Sequence, residues 1–307
     1  MIASDELKNF FRGKIALGEP LGKYTSFRIG GPADFYLEPE DSEDAAQLIR
    51  FMNERQMPFI VLGNGSNVLV ADEGYRGAVI NLEHGFGYVK MVGDEVVAGA
   101  GIRLAQFVDF CIQESLKGAE MLSGIPGTLG GAVIMNAGAY GGEISDYMTE
   151  IDIVRNGQVV RIKKNDAGFA YRTSRLEGGI VLGARFTFPH GNKEEMKTIR
   201  RETMLKRNTS QPVQFPNAGS IFKNPPGAYA AVLIQECGLK GTHRGGAEIS
   251  ELHANFIINK ERASAIDVLD LIRLIRQTVF EKKNVKLELE VKLVGFDETV
   301  MNSLRWN

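Results

Sequence analysis

Two glycine-rich segments free of charged residues carry the clearest chemical signal in this chain. The longer, residues 123–142, reads SGIPGTLGGAVIMNAGAYGG. Gly124, Gly127, Gly130, Gly131, Gly138, Gly141 and Gly142 surround a short apolar run, with Ser123, Thr128, Asn136 and Tyr140 as polar company. The shorter, residues 62–70, reads LGNGSNVLV and joins two apolar runs. Glycine costs backbone entropy, so a chain places it where backbone must bend tightly or approach something closely. Backbone N–H groups left bare by missing side chains make concave donors for anions, phosphate above all. Two such loops point to a large phosphorylated cofactor held by backbone. Taken alone, Gly63–Asn67 reads equally as a structural turn. Gly63-Asn64-Gly65 and Gly99-Ala100-Gly101 both begin a nicotinamide-type fingerprint, but neither supplies its third glycine, and no GxxxxGK[ST] phosphate loop occurs.

Four other segments hold reactive side chains. TSFRIGGPADFY sets Arg28 before Gly30-Gly31-Pro32, which by itself reads as a turn with a surface arginine. In AGSIFKNP a strand puts Ser220, Phe222 and Asn224 on one face and Ile221 and Lys223 on the other. A hydroxyl and an amide on one face could serve a substrate; a strand edge running into a proline turn is the equal alternative. KLELEVKLVGF alternates Leu287, Leu289, Val291 and Leu293 with Lys286, Glu288, Glu290 and Lys292, which alone is a strand with a solvated face. Tyr171-Arg172-Thr173-Ser174-Arg175 reads first as a basic surface turn, although an arginine beside a carboxylate is a natural anion clamp.

These residues need a scaffold of several layers. At 307 residues two or three subdomains are expected, and 44% apolar with 24% charged residues is ordinary globular composition. A net charge of -2 removes the electrostatic case for nucleic acid. No apolar run is long enough to span a bilayer, and the N-terminal residues lack a signal-peptide layout. Cys111 and Cys237 read as buried thiols, and the four histidines show no metal-ligand spacing, so no metal is expected. Periodicity predicts helices over 42–56 (capped by Ser42), 103–116, 193–208, 226–238 and 263–283. Strands are predicted at 34–39, 59–62, 78–82, 87–92, 95–99, 148–155, 158–163, 180–188, 219–223, 254–259 and 286–294. Composition changes after Pro189, and QPVQFPNAG marks a domain boundary.

In this order and spacing RIGGPADF, LGNGSNVLV, GIPGTLGGAVIMNAGAYG, YRTSR, AGSIFKNP and LELEVKLVG resemble the UDP-N-acetylenolpyruvoylglucosamine reductases of bacterial peptidoglycan synthesis, the MurB family. The resemblance runs from about Leu21 to Phe296. It implies an α+β fold: an FAD-binding PCMH-type (vanillyl-alcohol oxidase-like) flavin half in two subdomains, and a C-terminal α+β substrate domain. The subdomains would span residues 1–75, with 295–307 returning to them, and 76–200; the substrate domain would span 201–294. It further implies a cytoplasmic enzyme with non-covalent FAD and NADPH as hydride donor. The reaction would reduce the enolpyruvyl ether of UDP-N-acetylglucosamine-enolpyruvate to UDP-N-acetylmuramate, with no nucleic-acid or membrane partner. A flavin oxidase of the same fold, acting on an alcohol or hydroxy acid, is the alternative.

Matched residue by residue, the resemblance puts the catalytic arginine at Arg172, the proton-donating serine at Ser220 and the catalytic glutamate at Glu290. The family's LEPE is here LELE, with Leu289 in place of proline. Cofactor contacts are implied at Arg28, Ile29, Gly63, Asn64, Gly65, Ser66, Asn67, Gly124, Pro126, Gly127, Thr128, Gly131, Ala132, Asn136, Ala137 and Gly138. Substrate contacts are implied at Lys223, Asn224 and Tyr140. The stretch from Tyr171 to Pro212 is too short for the tyrosine-bearing lid of one branch, so the chain is similar to the second branch, which lacks it.

Overall fold

A computed structural model of the chain describes residues 4–139, 141–176 and 178–306. The chain forms two compact units, each threaded more than once: Met1–Leu17, Phe35–Asn64 and Gly77–Lys206 make unit 1, and Gly18–Asp34, Gly65–Arg76 and Arg207–Asn307 make unit 2. Among the described residues no helix is long and apolar enough to cross a membrane.

Unit 1 is built on a five-stranded antiparallel sheet. Its order is Gln158–Lys163, Met148–Arg155, Ile180–Phe186, Glu95–Gly99, Val89–Val92. Helix Leu104–Gln113 buries the expected stripe of Leu104, Phe107, Val108, Cys111 and Ile112. Helix Ser42–Glu54 buries Ala45, Leu48, Ile49 and Met52, but its cap is Asp41 rather than Ser42. Asp41 has the extended backbone a cap requires, and its carboxylate accepts from the Asp44 amide at 2.9 Å. The strand Phe59–Val61 runs parallel to Tyr75–Ile80, with Phe59 opposite Ala78, and leads into the first glycine loop.

Unit 2 packs around the helix Ala265–Lys283, which starts at Ser264 in a reciprocal capping box with Asp267 and ends at Asn284 in the left-handed region. Val268, Leu269, Leu271, Ile272, Ile275 and Val279 form its core face. The strand expected over 286–294 is reduced to Lys292–Val294, paired parallel with Val68–Val70. Upstream, the segment forms no ladder and makes an isolated bridge, Leu289 to Phe222. The alternation survives: Leu287 and Val291 are buried, Glu288 and Lys292 exposed. The expected strand 219–223 is likewise absent. Ile221 and Phe222 are both fully buried, so the proposed common face of Ser220, Phe222 and Asn224 does not form.

The expected subdomain of residues 1–75 is divided between the units, because Phe27, Ile29 and Leu69 sit in the apolar core of unit 2. Residues 295–307, expected to return to residues 1–75, also lie in unit 2, where Phe296, Val300 and Leu304 pack in that same core.

Candidate active site

In unit 1 the two glycine loops meet. A Cβ on Gly63 would stand 2.3 Å from Thr128 Oγ1, so only glycine lets the first loop lean on the second. Thr128 in turn caps the short helix Leu129–Ile134, a helix that glycine content alone does not announce, by accepting from the Gly131 amide at 3.5 Å. Two polar atoms of the long loop, Ser123 Oγ and Asn136 Oδ1, are buried without a hydrogen-bond partner. Buried polar groups are almost always satisfied, so orphans gathered in one loop mark a place built for a ligand. The cradle has no charged side chain of its own in its central run, which suits a cofactor gripped by backbone dipoles.

Arg172 is tied to this cradle. Ala170 and Thr173 exchange backbone hydrogen bonds at 3.1 Å, closing a turn in which Arg172 takes φ 56°. A left-handed backbone is costly for a residue with a side chain and persists only where its surroundings impose it. Here they do. Asn136 Nδ2 donates to the Ala170 carbonyl at 3.2 Å, and Ser174 Oγ donates to the Ile134 carbonyl at 2.8 Å. The Arg172 guanidinium, half-buried, donates from Nη2 to the Gly138 carbonyl at 2.8 Å and lies over the Tyr171 ring at 5.0 Å. The basic turn is therefore part of the glycine-loop framework rather than a free surface feature.

In unit 2 a second backbone framework surrounds Ser220 and Glu290. Gly219 takes φ 72° immediately before Ser220, and its N–H donates to Asn217 Oδ1 at 2.9 Å. Asn255 then grips the following residues. Its carbonyl accepts from Ile221 N–H at 2.9 Å, its Oδ1 from Phe222 N–H at 3.0 Å, and its Nδ2 donates to the Phe222 carbonyl at 2.8 Å. Glu290 N–H donates to the Ile221 carbonyl at 2.9 Å, and Asn67 Nδ2 donates to the Glu290 carbonyl at 3.1 Å. Serine and glutamate, 70 positions apart by number, are thus held on neighbouring backbone segments.

Sequence reasoning passed over Asn255, although one amide side chain inside the apolar run ANFII was its signal. It also passed over His253, whose Nδ1 is buried without a partner and whose pKa burial pushes down. Of the expected cofactor contacts, Asn67 has its side-chain amide engaged with Glu290, and the Ile29 side chain belongs to the unit 2 core. Arg28 is exposed and lines a cleft of about 570 Å³ with Asp72, Asn259, Lys260 and Arg262. Asn224, expected to touch substrate, accepts from the Ala230 N–H at 3.0 Å at the start of helix Ala230–Glu236. Lys223 Nζ lies 3.7 Å from Glu288. Tyr140 lies outside the described residues. Among the described residues no cluster of His, Cys, Asp or Glu could hold a metal ion.

Residues 33–163 match the family described as FAD binding domain, and residues 211–294 match the C-terminal domain of UDP-N-acetylenolpyruvoylglucosamine reductase. With a backbone cradle and orphaned polar atoms that fit such a cofactor, the protein is an FAD-dependent oxidoreductase with a PCMH-type flavin half. UDP-N-acetylenolpyruvoylglucosamine reductase of Chloroherpeton thalassium is 44% identical over 309 residues, covering 98% of this chain and 99% of the relative. That of Alkaliphilus oremlandii is 45% identical over 284 residues, covering 92% and 93%. The crystal structure of the enzyme from Thermus caldophilus aligns over 93% of this chain and 100% of its own, at 38% identity and a TM-score of 0.80. The chain belongs to the UDP-N-acetylenolpyruvoylglucosamine reductase family.

Proposed function

We propose that the protein uses NADPH and FAD to reduce the enolpyruvyl ether of UDP-N-acetylglucosamine-enolpyruvate to UDP-N-acetylmuramate in the cytoplasm, with Arg172, Ser220 and Glu290 as catalytic residues. The observation that carries the residue assignment is the bond from Glu290 N–H to the carbonyl of Ile221, the residue after Ser220. It joins the main-chain segments that carry the carboxyl and the hydroxyl, which share no element. When bound, FAD supplies a two-electron relay, taking hydride from NADPH and passing it to the enolpyruvyl methylene carbon. Gly63, Thr128, Gly131 and Asn136 would hold it through backbone and short polar side chains.

The chain's own residues handle the charge and the proton that this leaves. Negative charge develops on the carbon next to the substrate carboxylate and spreads into it. The Arg172 guanidinium, with Nη2 anchored on Gly138, presents its planar donors to that charge, usually the largest contribution in such sites. Ser220 Oγ holds the proton that the carbon must receive. It is half-buried and makes no hydrogen bond to another described residue, so it can turn toward a substrate. An ionised carboxylate at Glu290 would oppose the developing charge, so the role proposed for it is that of a protonated acid or of a group that orients Arg172 and a water. Lys223 and the Asn224 amide NH₂ suit the phosphate and uridine part of the substrate.

Arg172→Lys is expected to lower turnover roughly tenfold or more, because the ammonium keeps the charge but not the two-pronged geometry. Steady-state rates with the enolpyruvyl substrate check it, and unaltered turnover would return Arg172 to a structural role. The flavin is expected to be non-covalent. Cys111 is buried in the core with its thiol pushed up to about 12 by burial, and His84 is an exposed turn residue. Acid precipitation should leave the yellow colour in the supernatant; flavin held in a washed pellet would overturn this. Anaerobic mixing tests the whole reading: NADPH bleaches the purified protein, and UDP-N-acetylglucosamine-enolpyruvate restores the colour. Recovery with oxygen but not with that substrate would favour an oxidase.

A further inference from the structure

We infer that Trp306 is a positioning residue for Glu290, acting through the C-terminal tail as a tether on the segment that carries the carboxyl; the inference rests on the catalytic reading of Glu290 given above. That segment lies between the end of helix Ala265–Lys283 and the three-residue strand Lys292–Val294. It has no ladder of its own, so its position depends on individual hydrogen bonds. On the downstream side Glu290 is held by Ile221 and Asn67. On the upstream side Lys223 N–H donates to the Glu288 carbonyl at 2.9 Å, and Trp306 Nε1 donates to the Leu287 carbonyl at 3.1 Å. Leu287 is fully buried, so its carbonyl cannot readily exchange this donor for water.

The tail is built to deliver that one donor. Asp297 caps the helix Glu298–Ser303 by accepting from Val300 N–H at 2.8 Å, and Leu304 then enters the unit 2 core. Arg276, 8% exposed on helix Ala265–Lys283, donates from Nη1 to the Leu304 carbonyl. The same guanidinium lies over the Trp306 ring at 4.2 Å, and Phe280 packs on the ring with centroids 5.4 Å apart. The indole is thus held by Arg276 over its ring and by the tilted Phe280 ring, while its edge carries the N–H to Leu287, three residues before Glu290. Small displacements of a catalytic group are costly, which gives such a tether a kinetic consequence.

Trp306→Phe keeps a ring over Arg276 and removes the donor, so it separates tethering from mere packing. In the FAD-loaded full chain, substrate-dependent kcat should fall about threefold or more, with KM for the enolpyruvyl substrate changed less than about twofold and NADPH-driven bleaching unchanged. Amide exchange at Glu290, whose N–H is bonded to the Ile221 carbonyl, should accelerate roughly fivefold, as expected for one lost hydrogen bond. In a Glu290→Gln background the same change should add nothing to the kinetic loss. Equal losses in both backgrounds, or unchanged exchange at the Glu290 amide, would overturn the tether and leave the tail a stability clamp. If Glu290→Gln alone leaves turnover intact, the catalytic reading of Glu290 fails and the kinetic inference falls with it. The exchange measurement then decides separately whether Trp306 restrains the segment.

Discussion

Ser220→Ala should bind FAD and be bleached by NADPH at a near-normal rate, yet recover its colour with the enolpyruvyl substrate about 100-fold or more slowly, the scale of a positioned general acid. The backbone around Ser220 predicts a clean variant. Gly219, Asn217 and Asn255 hold the main chain on both sides, and none of these bonds uses the serine hydroxyl. Alanine therefore removes a proton donor without loosening the loop. Cysteine at 220, a better acid of similar reach, should regain part of the loss. Two stopped-flow traces per variant suffice. Slowed bleaching in Ser220→Ala would show that the residue shapes the flavin site, and the proton donor would have to be sought elsewhere.

Glu290→Gln should likewise slow recovery of colour by about 100-fold, whereas Glu288→Gln should change it less than about twofold. Both acids belong to the alternating run KLELEVKL, and hydropathy cannot choose between them. The structure separates them by surroundings. The Glu288 side chain is 71% exposed, with Lys223 Nζ at 3.7 Å. Glu290 is half-buried, and its main chain is bonded on one side to Ile221 and on the other to Asn67. An exposed pair of this kind contributes little, so its loss should be quiet. Equal and mild effects of the two substitutions would make this run a solvated face, as its alternation alone reads.

Much of the local structure was legible because it obeys local rules. The stripe of Leu104, Phe107, Val108, Cys111 and Ile112 predicts its helix, Asn156-Gly157 predicts the turn between Met148–Arg155 and Gln158–Lys163, and the helix expected over 263–283 forms as Ala265–Lys283. The strand expectations at 219–223 and over 286–291 failed for a single reason. A strand needs a partner of its own length, and these segments instead give their backbone groups to Asn255, Asn67, Trp306 and each other.

The sequence by itself determined the residue types and their order: two charge-free glycine loops, an arginine turn, a serine before FKNP and an alternating acidic run. Those are properties of neighbours along the chain, and composition, periodicity and motif order report them directly. Only the tertiary structure decided what each residue faces. Asn67, read as a cofactor contact, has its side chain on the Glu290 carbonyl across 223 positions. Residues 18–34 and 65–76, read as part of an N-terminal subdomain, pack with residues 207–307, because Phe27, Ile29 and Leu69 find their apolar partners there. Burial and hydrogen-bond partners at such separations depend on which surfaces exclude water together, and no window along the chain contains that information.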